Sequence, residues 1–190
     1  MRKVLFILSE LADADLEWML RSGAKQTHPA GSVLIEEGKP LTVLYVLLDG
    51  RLSVCVGGAA GQEVAQLQSG EVLGELSFLD SRPPSATVTA LNEVTVLSIP
   101  RSGLERKLSE DDGFAARFYR ALDIFLASRL RRTMQRFGYE SGDVLDDDVE
   151  HEDELDPEVL QNVALAGARF DWMIRRLREA PAADPPEGER

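Results

Sequence analysis

The rhythm of apolar and polar positions changes twice along the chain. Over residues 9–23 apolar side chains recur at Leu16, Met19 and Leu20 and the run stops at Gly23. That spacing predicts a short helix with Ser9 or Asp13 as its N-cap. Beyond it the period falls to two. Short β-rich runs stand at 32–35, 43–48, 51–56, 63–67, 86–90 and 94–99, separated by Gly, Pro, Asn or Asp. Short strands punctuated this regularly predict an antiparallel sandwich or jelly roll. Asp49-Gly50, between two alternating runs, reads as a type I′ hairpin turn.

After Pro100 the helical period returns. Phe114, Phe118, Leu122, Phe125, Leu126, Leu130, Met134 and Phe137 recur mostly at spacings of three and four, with Arg117, Arg120, Arg129, Arg131, Arg132 and Arg136 between them, read as a solvated face. This predicts one amphipathic helix over 113–137, about seven turns long. It is longer than a single β-roll can cover, so part of its apolar face is expected to meet a second chain in a homodimer. Residues 138–155 read as an acidic linker. A second helix is expected over 156–179, with Asp156 as N-cap, Pro157 at the first helical position and Leu155 stapled onto Leu160. Its stripe of Val159, Val163, Ala166, Phe170, Met173, Ile174 and Leu177 predicts a docked helix, and residues 180–190 read as a disordered tail.

Composition narrows the classes. At 190 residues, 44% hydrophobic and 28% charged, the chain can bury a sizeable core without disulfides or metals. Cys55 is the only cysteine, and His28 and His151 are the only histidines, so neither a disulfide framework nor a thiolate or histidine metal cluster is expected. Cys55 reads as an ordinary small strand residue and His28 as a strand or loop residue. The five apolar residues Val4 to Leu8 are too few for a secretory h-region, and no later run approaches ~20 apolar residues, so a soluble cytoplasmic protein away from membranes is expected.

The net charge of −12 is concentrated in one place. Residues 140–158 hold 11 acids and no base, whereas 1–139 hold 17 acids against 16 bases. An acidic block opposes a phosphate backbone, which argues against nucleic-acid binding. The block also lacks the central glycine and alternating oxygen ligands of a calcium loop. It reads as a solvated linker.

Residues 70–99 carry the candidate chemistry. Gly74-Glu75-Leu76 lies where a strand run gives way to a short helical stretch, and backbone N–H groups at such a turn suit an anion. Glu75 makes sense beside an anion if the ligand also offers a hydroxyl. With the turn glycines Gly31, Gly38, Gly50, Gly70 and Gly74, the GEL cassette, the SATV stretch after it and the long terminal helix, residues from about 5 to 137 resemble the cyclic nucleotide-binding domain family. That family includes catabolite activator proteins, protein kinase A regulatory subunits and cyclic-nucleotide-gated channels.

The resemblance implies a mainly β fold with flanking helices, an antiparallel β-roll in a domain over 1–137. It implies cAMP or cGMP as ligand. Glu75 would then accept from the ribose 2′-hydroxyl, while Gly74, the amides near Leu76 and Ser77, and Ser85 with Ala86 would face the cyclic phosphate. Thr133 falls about where activator proteins place a base-contacting hydroxyl. One departure stands out. The family arginine before the small pair is replaced by Pro84. Arg82, two residues earlier, either reaches in around Pro83-Pro84 or points to solvent. A bidentate guanidinium is the strongest neutraliser of a phosphate, so weak binding is expected.

No nucleophile, base and acid set is recognisable, which sets an enzyme aside. An activator-type transcription factor would follow the long helix with a basic helix-turn-helix unit, and here an acidic stretch follows. The reading is a non-enzymatic sensor or adaptor acting through a protein partner. The alternative is a ligand-free interaction module on the same fold.

Overall fold

The computed structural model of the chain describes residues 10–140 and 157–179. It begins with helix α1 (Asp13–Ser22), followed by strands β1 (Ala24–His28), β2 (Val33–Ile35), β3 (Val43–Asp49), β4 (Arg51–Val56), β5 (Gln62–Gln68) and β6 (Val72–Leu73). Helix α2 (Glu75–Asp80) interrupts the strands before β7 (Thr87–Ala90) and β8 (Val94–Pro100). Helices α3 (Arg101–Glu110), α4 (Asp112–Glu140) and α5 (Pro157–Glu179) complete it.

The strands form two four-stranded sheets, ordered β1-β8-β3-β6 and β2-β7-β4-β5, with every pairing antiparallel. This is the expected β-roll with flanking helices. The alternation explains the closure. On β4, Leu52 and Val54 face inward and meet Leu47, Leu73, Val88 and Val96 from the other strands, while Ser53 and Cys55 take the opposite face. Cys55 is buried, its Sγ 3.4 Å from Ser53 Oγ, and His28 lies on β1 with Nε2 3.4 Å from Gln26 Oε1.

Asp49-Gly50 is not a hairpin. β3 and β4 belong to different sheets, and only the glycine has positive φ, at 93°. At this corner the chain passes from one sheet to the other so closely that a Cβ on Gly50 would stand 2.5 Å from the Glu93 carbonyl oxygen. The corner demands glycine for room as well as for conformation. β1 and β6 escape a periodicity reading because one is the polar run AKQTH and the other is two residues long.

The helices pack on one side of the roll. Ala12, rather than Ser9 or Asp13, is the N-cap of α1, and the Asp15 carboxylate accepts its N–H at 2.8 Å. Ser9 lies outside the described residues. Arg117 of α4 donates to both Asp15 oxygens, at 2.7 and 2.9 Å, and Arg120 reaches Glu10 at 2.8 Å. Burial pushes the Asp15 carboxyl up, but the hydrogen bonds from Arg117 and Ala12 outweigh it and the carboxyl lies below its ordinary value.

Helix α4 runs past both expected ends, so residues 138–140 are helical rather than linker. The expected dimer stripe is corrected in its first half. Phe118, Leu122 and Phe125 are buried in the core of their own chain, with Phe114 and Ala121, and only Leu130 and Met134 stay exposed, at 61% and 64%. The Phe137 side chain lies outside the described residues.

Helix α5 lies on α1 of the same chain. Met173 is fully buried and Leu177 nearly so, in one cluster with Leu11, Leu16 and Met19, and Arg169 Nε meets Asp13 Oδ1 at 2.9 Å. Pro157 is its first residue. Asp156, residues 141–155 and residues 180–190 lie outside the described residues, as do the side chains of Val159, Val163 and Ala166. No helix among the described residues is long and apolar enough to cross a membrane.

Candidate functional site

The site is built around α2. Gly74 turns the chain out of β6 with φ 85°, and a Cβ there would meet Leu41 Cδ2 at 2.6 Å. Only glycine combines that conformation with that clearance. The turn points the next side chain, Glu75, into the protein. Glu75 is 3% exposed, Ser77 is also buried, and Leu76 and Leu79 face out.

Glu75 is met by a cation from another element. Arg129, on the stretch of α4 beyond Phe125, donates from Nη1 to Glu75 Oε1, and its Nη2 lies 3.9 Å from Glu71 Oε2. The guanidinium also lies over the Phe125 ring, 5.1 Å from its centre. Burial pushes the Glu75 carboxyl above its ordinary value, and Arg129 only partly opposes that shift. The carboxylate is therefore buried with one cation as its side-chain partner.

The far end of α2 is held separately. Arg101, the first residue of α3, donates from Nη1 to the Ser77 carbonyl at 2.8 Å and from Nη2 to Ser81 Oγ at 3.0 Å. Ser81 closes the helix at φ 58°, the one described non-glycine residue with positive φ. Outside this end lies a groove of about 370 Å³ lined by Phe78, Leu79, Arg101, Leu108 and Tyr119 among others, without Glu75.

The stretch after α2 is fastened to the 36–38 turn. The Pro84 carbonyl accepts from Gly38 N at 2.8 Å, Thr87 Oγ1 accepts from Glu37 N at 3.1 Å, and the Glu37 carboxylate accepts from Gly57 and Gly58. Between these anchors Ser85 is exposed and Ala86 half-buried. Arg82 takes the solvent alternative. Its side chain is 83% exposed, with Nε 3.9 Å from Asp80, and it is not brought to Glu75. Thr133 lies one turn beyond Arg129 on α4, and its side chain is outside the described residues.

Gly74, Glu75, Leu76 and Ser77 are consecutive at the start of α2, with Glu75 and Ser77 buried and Leu76 exposed, and Ser85 and Ala86 lie on the stretch before β7. Arg129 and Arg101 were not singled out by sequence, where the arginines of α4 read as a solvated face. A signal was available. Arg129 falls on the same 3–4 spacing as Phe118, Leu122 and Phe125, so it sits on the buried stripe, where a cation needs a buried partner. Among the described residues no group of three His, Cys, Asp or Glu could hold a metal.

Comparison with known proteins points one way. The family model described as Cyclic nucleotide-binding domain matches residues 25–111. A cAMP-dependent protein kinase regulatory subunit from Aspergillus niger is 36% identical over 81 residues, which is 43% of this chain and 20% of that protein. The chain therefore spans about a fifth of the length of that relative. The N-terminal domain of a transcriptional regulator from Streptomyces coelicolor superposes with TM-score 0.55 at 31% identity, over 72% of this chain and 95% of that one. A cyclic nucleotide-binding domain from Methylobacillus flagellatus has the same fold, with TM-score 0.65 at 21% identity over 73% of this chain and 82% of that one.

Proposed function

Because the chain belongs to the cyclic nucleotide-binding domain family, we propose that it is a non-enzymatic regulatory module that binds cAMP or cGMP weakly and acts through contacts with another protein. The observation that carries the reading is the placement of Glu75: a buried carboxylate directly after a left-handed glycine, at the position to which the family resemblance assigns the ribose contact. A ribose 2′-hydroxyl is a donor that such a carboxylate can accept from. Amides of Leu76 and Ser77, with Ser85 and Ala86, would face the phosphate.

Weakness follows from Pro84 and from the exposure of Arg82. A charged hydrogen bond contributes about 1.5–3 kcal/mol, so its absence lowers affinity by roughly one to two powers of ten. Binding would reach the rest of the protein through α4, because Arg129 ties Glu75 to that helix. Leu130 and Met134, the exposed continuation of the α4 stripe, are the proposed contact in a homodimer.

A second reading draws on the same ion pair. With Arg129 already on Glu75, the fold can serve as an interaction module that binds no nucleotide. Calorimetric titration with cAMP and cGMP separates the two. The sensor reading expects binding in the micromolar to millimolar range, lost in Glu75→Ala and tightened in Pro84→Arg. No heat from either nucleotide at millimolar concentration would leave the ligand-free module.

A further inference from the structure

Helix α2 has only six residues, too few to hold its own direction in water. Its carbonyl end therefore needs outside support, and one side chain supplies most of it. Arg101 Nη1 donates to the Ser77 carbonyl at 2.8 Å, an oxygen that also accepts from Ser81 N at 3.1 Å. Nη2 donates to Ser81 Oγ at 3.0 Å and lies 3.5 Å from the Phe78 carbonyl. The guanidinium stands 5.5 Å from the centre of the Phe78 ring. Its Nε donates to Glu105 at 2.7 Å, and the backbone N–H of Arg101 donates to the Thr42 carbonyl at 2.8 Å.

We propose that Arg101 is a positioning residue for the nucleotide site: from the start of α3 it fixes the axis of α2, and through it the place of Glu75 at the other end. The inference rests on the nucleotide-binding reading of that site. Three features of the geometry carry it. The planar fork reaches a backbone carbonyl and a hydroxyl together, which a lysine cannot copy. Ser81 sits in a left-handed conformation that a non-glycine residue keeps only when its surroundings over-determine it, and Arg101 holds its hydroxyl. The Arg101 backbone is itself anchored to Thr42, one residue past Leu41, whose side chain packs where a Cβ on Gly74 would be. The 41–42 stretch thus borders the Gly74 turn and holds the backbone of the residue that caps the other end of α2.

Arg101 holds the helix without touching the ligand. Its donors are committed to Ser77 and Ser81 at the carbonyl end of α2 and to Glu105 on its own helix. A small misplacement at a binding group costs heavily in affinity, so loosening the far end of α2 is felt at Glu75.

The test compares the full chain with Arg101→Ala, Arg101→Lys and the milder Ser81→Ala. Affinity for cAMP and cGMP is read by calorimetry, and amide hydrogen exchange is read over 75–81, over β3 and over the first half of α4. Arg101→Ala is expected to weaken binding by about tenfold and to speed exchange over 75–81 while β3 and α4 keep their protection. Arg101→Lys should recover little, and Ser81→Ala should show a smaller change in the same direction. If Arg101→Ala binds as the parent does, or if exchange quickens evenly across the chain, the positioning role is overturned while the nucleotide reading stands. If Arg101→Ala does not fold, unchanged affinity and exchange in Arg101→Lys and Ser81→Ala overturn it equally. If the parent binds neither nucleotide, the reading itself falls and the inference falls with it.

Discussion

Arg129, halfway along the long helix, forms an ion pair with Glu75, the first residue of the short helix at the candidate site, although 54 positions separate them in sequence. The Glu75 side chain is 4% exposed and that of Arg129 27%. One end of the pair is inside the protein and the other reaches the surface. Removing one partner of a buried pair costs far more than the pair contributes, because the other charge is left behind. Arg129→Leu should therefore destabilise the fold strongly, toward the lower end of about 3–5 kcal/mol because the guanidinium is partly solvated. Urea denaturation checks this, and Glu75→Gln should cost less because the guanidinium it leaves behind is partly solvated and keeps Glu71 at 3.9 Å.

Glu75 and Asp15, both buried, titrate in opposite senses. Glu75 is held above its ordinary value of 4.5, so the folded state binds a proton more readily than the unfolded one. Its contribution to stability is largest when it is protonated and declines as pH rises from about 4.5 through its raised folded value. Asp15 is held below 3.8, so its contribution is present above that pH and is lost as pH falls through the folded value. Melting temperature followed from pH 7 to 2 should show the first effect abolished by Glu75→Gln and the second by Asp15→Asn.

The C-terminal helix is expected to dock within its own chain in solution. Met173, fully buried against Leu16 and Met19, anchors it. Met173→Ala should cost about 2–5 kcal/mol or release the helix. Hydrogen exchange then reads a loss of protection over 165–177. The protection in the parent should not depend on protein concentration, since the contact is intramolecular.

How far the sequence reaches is visible in particular residues. Alternation located six strand segments, because one face of each meets the core, and Gly74-Glu75 was legible because a glycine before a carboxylate at a strand end is a local signal. The pairing of Glu75 with Arg129 was not local. It depends on where α4 crosses the roll, and no window of sequence contains both. Asp49-Gly50 failed for a related reason: two alternating runs around a turn signal do not say whether the runs share a sheet, and here the corner joins two. The stripe on α4 was seen correctly as apolar, but periodicity does not divide one stripe between its own roll and a partner.

That division gives a prediction of its own. Leu122 is 1% exposed and Leu130 is 61% exposed. Leu130→Glu with Met134→Glu should leave the fold intact and shift a dimer to monomer in sedimentation equilibrium. Leu122→Glu should instead unfold the domain, since it would bury an unpaired charge.

The central claim is that a cyclic nucleotide binds at Glu75, and the most direct measurement watches that place. In a cAMP and a cGMP titration of isotopically labelled protein followed by NMR, the amides of Gly74 to Ser77 and of Ser85 and Ala86 should shift progressively and saturably with at least one nucleotide. The shifts should vanish in Glu75→Ala. Amides that stay fixed at millimolar nucleotide, or that shift equally in Glu75→Ala, would contradict it.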